Sequence, residues 1–177
     1  MDKSIIFGGL ALLVFGALAL FPRRVQAAVT EETPMSETQD TKPIAPRGLR
    51  NNNPMNLRYV AAIDWVGQTG QDNAGYAIFD TAENGIRAGM INLRTGFERY
   101  NANTVRKIIT RWAPAHENPT SSYIDYVGRA LSVGPDMALL FNRESIVPLS
   151  RSIVQFENGQ QPYPDSLFEA AWLSAQR

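Results

Sequence analysis

Hydrophobic positions along the chain fall into three regimes. From Ile5 to Phe21 every residue is apolar or small, and Pro22, Arg23 and Arg24 follow. Crossing a bilayer takes about 20 apolar residues, with a lower limit of about 17. The run therefore predicts a short transmembrane anchor within residues 1–27. A signal peptide is the rival reading, with Lys3 as its charged start and Val25-Gln26-Ala27 as a cleavage site; two arginines ahead of that site suit a retained anchor better. Lys3 on one side and Arg23 and Arg24 on the other leave the orientation open. Residues 28–46 then carry Glu31, Glu32, Glu37 and Asp40 among Thr, Ser, Gln and Pro, with almost nothing large and apolar. Such a stretch cannot bury enough surface to offset chain entropy, so it reads as an acidic disordered linker that tethers a folded domain.

From Arg47 onward, residues 47–177 read as one mainly helical α+β domain. Trp65-Val66-Gly67 and Tyr76-Ala77-Ile78-Phe79 flank a Gly, Asn and Asp rich stretch, which predicts a small β-hairpin. Ile86, Met90, Leu93, Phe97 and Tyr100 recur at spacings of four and three, on one face of a helix starting near Asp80. Val105, Ile108, Ile109 and Trp112 line a second helix that Pro114 stops. Tyr123, Val127, Ala130 and Leu131 line a third, with Asn118 as cap and Pro119 as first residue. A fourth, with Leu149, Ile153, Val154 and Phe156 inside, takes Pro148 in its first turn and runs through Glu157 to Gly159. Leu167, Phe168, Ala171, Trp172 and Ala175 line a last one, started by Asp165 or Ser166.

Composition narrows the chemistry. Lys plus Arg and Asp plus Glu each number 17, so no global field draws the chain to nucleic acid. The absence of Cys excludes a disulfide framework, thiolate metal sites and a cysteine nucleophile. A single histidine, His116, argues against a zinc hydrolase, and no cofactor is implied. Carboxylates remain as the groups able to do chemistry. Glu157 lies in the last turn of its helix, against the negative end of the dipole and beside the apolar face of Ile153 and Val154. Both effects raise a carboxyl pKa, which is what a general acid needs, although a frayed helix end pointing to water is an equal alternative. Glu83 follows Asp80 by three residues, so it serves as a capping-box partner or as a second catalytic candidate. Glu117, next to a helix start, is a further candidate for a second carboxylate.

The segment RGLRNNNPMNLR, residues 47–58, reads as a loop whose amides either cap turns or bind hydroxyl and acetamido groups of a sugar. Trp65, Tyr76, Trp112 and Tyr163 offer flat faces for sugar rings, or simply core.

Together, RGLRNNNPMNLR, YAIFDTAENGIRAGMINL, TVRKIITRWAPAHENPTSSYIDYV and IVQFENGQQPY resemble a family of phage virion-associated lytic proteins and prophage lysozyme-like proteins, which usually begin R-G-I-R-N-N-N-P-G-N-I. The resemblance covers the globular part and implies a lysozyme-like, peptidoglycan-degrading domain of the lytic transglycosylase or lysozyme type. One departure is Met55, where the family usually has Gly, so a left-handed option is lost there and the loop geometry is expected to change.

The wider lysozyme and transglycosylase families place the catalytic Glu on a helix before the Asn loop, and no suitable Glu precedes it here, since Glu37 lies in the linker. A circularly permuted order is therefore expected, with the helix ending Glu157-Asn158-Gly159 closing against the Asn loop. The implied machinery is Glu157 as acid and Glu83 as second choice, with Asn52, Asn53, Asn56, Tyr76 and Tyr163 binding substrate. Implied partners are bacterial peptidoglycan, lipid through residues 5–21, and other virion proteins, with the protein held at a phage membrane and acting on the host wall. A peptidase of the wall cross-links and a non-catalytic wall-binding module are the alternative readings.

Overall fold

A computed structural model describes residues 45–114 and 119–177. The apolar run 5–21, nearly all of the acidic stretch, and His116, Glu117 and Asn118 lie outside the described residues. Among the described residues no helix is long and apolar enough to cross a membrane.

The order is α1 (Arg47–Arg50), β1 (Gln68–Gln71), β2 (Ala77–Phe79), α2 (Ala82–Tyr100), α3 (Val105–Trp112), α4 (Thr120–Leu131), α5 (Arg143–Asn158) and α6 (Asp165–Ala175). Mainly helical structure with one small antiparallel hairpin is thus what the periodicity predicts. The first strand, however, starts after Trp65-Val66-Gly67 rather than on it. Gly67 has φ 75°, and a Cβ there would lie 2.3 Å from the Asn84 amide, so the chain turns at this glycine before pairing. The hairpin runs in register Gln68 to Phe79 and Gln71 to Ala77, with an irregularity between Gln68 and Gly70. Tyr76 lies just outside it, in an isolated bridge with Arg58.

Helix ends follow from local hydrogen bonding. Thr81, not Asp80, caps α2 by accepting from the Asn84 N–H at 3.2 Å, while Asp80 receives the Asn84 side-chain amide at 2.8 Å. The capping box expected of Asp80 and Glu83 therefore does not form. Pro119 precedes α4 as its cap rather than serving as its first residue. Helix α5 begins earlier than Pro148 implies, because Asn142 caps the Ser145 N–H at 3.0 Å; Pro148 consequently sits inside the helix, beyond its first turn. Gly159 ends α5 with φ 67°, as expected of a helix stop. Asp165 is the first residue of α6, after Pro164.

The core gathers the predicted faces, with Ile86, Met90, Ile109, Val127, Ile153 and Phe168 all buried. Two positions differ. Ala130 is exposed, and Ile124 takes the inward place on α4. Tyr100 ends α2 at 63% exposure instead of joining the core.

The asparagine segment is partly helical, since α1 occupies its first four residues, and it packs closely on α2 and α5. At Gly85 an added Cβ would lie 2.0 Å from the Asn52 carbonyl oxygen, and at Gly48 2.4 Å from Asn158 Oδ1. The left-handed residues of the segment are Asn52 and Asn56, at φ 49° and 51°, and not Met55. Met55 is 0% exposed, with its sulfur 2.2 Å from where a Cβ on Gly89 would be. The extra side chain at one position thus fills the room left by a missing one at the other.

Candidate functional site

The end of α5 and the asparagine segment meet, as the motif order predicts. Asn56 Nδ2 donates to Glu157 Oε2 at 2.9 Å across 101 residues of chain, and Asn158 Nδ2 donates to the Pro54 carbonyl at 2.8 Å. Tyr123, from α4, donates its hydroxyl to Glu157 Oε1 at 3.0 Å. The Trp112 indole, at the end of α3, lies close enough to the carboxyl group to lower its pKa. Four separate segments therefore converge on one acid.

Burial pushes the Glu157 pKa above the ordinary carboxyl value, and Asn56, Tyr123 and Trp112 oppose it without reversing it. The Tyr123 hydroxyl is pushed well above its ordinary range, first by burial and then by the nearby Glu157 charge. The tyrosine therefore stays a donor, and Glu157 is the carboxyl group of this cluster that burial shifts toward its protonated form.

Glu157 lines a cavity of about 280 Å³ with Asn56, Arg58, Tyr76, Arg111 and Trp112. A second cavity of about 500 Å³ shares Asn56, Arg58, Arg111 and Trp112 and adds Val60, Ile63, Trp65 and Tyr100 among its walls. Among the described residues that line either one, Glu157 is the only acid. A proton donor in a cleft that also offers indole faces and an amide can protonate a leaving oxygen on a ring-shaped substrate.

The other predicted residues divide. Asn56 and Tyr76 line the Glu157 cavity. The Tyr76 ring carries the Arg47 and Arg58 guanidinium groups 4.5 and 4.3 Å from its centre, so arginine rather than sugar stacks on it. Asn53 is 0% exposed and fully engaged: Nδ2 donates to the Leu57 and Ala77 carbonyls, and Oδ1 accepts from the Leu57 N–H, each at 2.9 Å. Asn52 donates to the Phe79 and Asp80 carbonyls at 3.2 and 3.0 Å. These two amides fasten the loop to the hairpin, the structural role that the segment's amides offer. Tyr163 packs against the core and its own Gln161, and it lines neither cavity. Glu83, in the first turn of α2, is also absent from both linings.

Sequence reasoning places Tyr123 in the core and does not single out Arg58 or Arg111. The tyrosine is in the core; only its hydroxyl reaches the acid, and helical spacing carries no signal for that.

No family model matches the chain. It is similar to Protein P5 of Pseudoalteromonas phage PM2, with 36% identity over 122 residues that span 67% of this chain and 75% of the relative. The chain belongs to the family of this phage protein. Membership makes it a phage-associated protein, in keeping with the phage resemblance of its motifs.

Proposed function

We propose that the chain is a peptidoglycan-cleaving enzyme of a phage virion, acting on the MurNAc to GlcNAc β-1,4 bond with Glu157 as general acid. The observation that carries this reading is an acid of raised pKa, held by two hydrogen-bond donors and lining an aromatic-walled cavity. In the transglycosylase form, Glu157 gives its proton to the glycosidic oxygen as the bond from C1 breaks. The carboxylate then takes the proton of the muramic acid C6 hydroxyl, whose oxygen bonds to C1 and leaves a 1,6-anhydro end. One carboxylate completes that cycle. The lysozyme form needs a second, at about 5 Å for retention or 6.5–9.5 Å for inversion. Anchoring through residues 5–21 would hold the domain at a membrane beside its polymeric substrate.

The test is mass spectrometry of purified peptidoglycan incubated with the full-length chain. Anhydro-muropeptides that disappear in Glu157→Gln and persist in Glu83→Gln are the expected outcome. Reducing sugar ends would favour the lysozyme form, new free amines would replace the glycosidase reading by a peptidase, and no soluble product from folded protein would leave a wall-binding module.

A further inference from the structure

The two cavities carry cationic groups that proton transfer to a glycosidic oxygen does not use. Arg58 and Arg111 border both of them; Arg58 bonds the Ala74 carbonyl and lies over the Tyr76 ring, and the hydrogen-bond donors to Glu157 are Asn56 and Tyr123. Some other arginines of the domain face carboxylates, Arg106 meeting Asp136 through two bonds at 2.8 and 2.9 Å and Arg143 meeting Glu169, while Arg87 and Arg94 bond backbone carbonyls. Arg111 has no carboxylate partner among the described residues and instead stacks on Tyr100, 4.8 Å from the ring centre. The same larger cavity exposes apolar side chains, with Val60 44% and Ile63 39% exposed. A guanidinium group beside exposed aliphatic surface suits a ligand that sets a carboxylate next to small apolar groups. A glycan strand bears no free carboxylate of its own where its lactyl groups are amide-linked to peptide, whereas the peptide stem bears several, together with alanine methyl groups.

Resting on the glycosidase reading above, we propose that the larger cavity is a subsite for the peptide stem, in which Arg111 receives a stem carboxylate and Val60 and Ile63 receive its methyl groups. The cavity volume of about 500 Å³ lies in the range that holds a ligand of a few residues. The glycan is then selected by what it carries beside the bond being cut.

The test uses the full-length chain with three substrates: intact strands, strands freed of peptide, and strands whose stem carboxylates are amidated. Binding of soluble fragments of each kind to Glu157→Gln, followed through tryptophan fluorescence, is measured in parallel. Intact stems are expected to bind about tenfold tighter than peptide-free or amidated ones, and Arg111→Gln is expected to narrow that preference by a similar factor. Equal binding of stem-bearing and peptide-free fragments overturns the subsite, and a preference that survives amidation overturns the assignment to carboxylates. Preferential binding of intact stems with no sugar product from any substrate would instead remove the glycosidase reading and leave the subsite standing.

Discussion

Tyr123 donates its hydroxyl to Glu157 at 3.0 Å while its ring stacks on Phe156, 3.8 Å between centres. The acid is thereby fixed to the core through a neighbour on its own helix and a partner on α4. Tyr123→Phe keeps the stack and removes the donor. Because that donor favours the carboxylate, its loss is expected to raise the Glu157 pKa further and to move the alkaline limb of the pH–rate profile upward. Thermal unfolding at neutral pH should register a loss of about 2 kcal/mol for a hydrogen bond to a charged group. An unmoved limb would separate the tyrosine from the proton equilibrium.

Glu157→Gln retains the shape of the acid and removes its proton. A fall in turnover of about 100-fold or more is expected on peptidoglycan, with the fold retained by circular dichroism. The same variant tests linkage. The folded pKa of Glu157 is raised, so the native state binds its proton more tightly than the unfolded chain does. Its contribution is therefore fully present below the ordinary carboxyl pKa and lost as pH rises through the folded value. The stability of Glu157→Gln relative to wild type should accordingly increase with pH across that window, as read by denaturant titration. A flat difference would mean that the carboxyl group is not desolvated.

Asn53→Ala removes three hydrogen bonds from a fully buried amide and leaves the Leu57 N–H without its acceptor, while the Leu57 carbonyl keeps the Ala77 N–H. Destabilisation of about 3 kcal/mol is expected, because buried polar groups left unpaired cost their full desolvation. Asn52→Ala, with a half-buried amide, should cost less. If substrate affinity fell in Asn53→Ala with stability unchanged, its role as a structural tie would be wrong.

Gly89→Ala would gain about 1 kcal/mol of helix propensity on an open helix, but here it meets the Met55 sulfur and should destabilise. Met55→Ala should cost about 2–5 kcal/mol through the cavity it leaves. The double variant is expected to be more stable than the sum of the two changes predicts, and simple additivity would show that the pair does not share space.

Much of the fold is legible from the chain. The spacing of Ile86, Met90 and Leu93 gives one helix face, and Gly159 gives a helix stop, because both depend on local periodicity or on a single permitted φ. Glu157 stands out because helix physics disfavours a carboxylate where it lies. The turn at Gly67 and the four residues of α1 escape such reading because each depends on what packs across from it: Asn84 for the turn, and Asn158 and Asn56 for the helix. The asparagines show the same limit. A side-chain amide that closes a loop and one that faces a ligand are identical in sequence, and only the hydrogen-bond partners separate Asn52 and Asn53 from Asn56.

The pairing of Asn56 with Glu157 sets when a working site can exist during synthesis. Its loop leaves the ribosome early, but the acid leaves only after α2, α3 and α4 have been made and α5 is nearly complete. A nascent chain, or one cut short before α5 is complete, has a cleft wall without its proton donor. On the wall-cutting reading, the centre assembles late, so abortive translation products accumulating in an infected cell would leave its envelope intact.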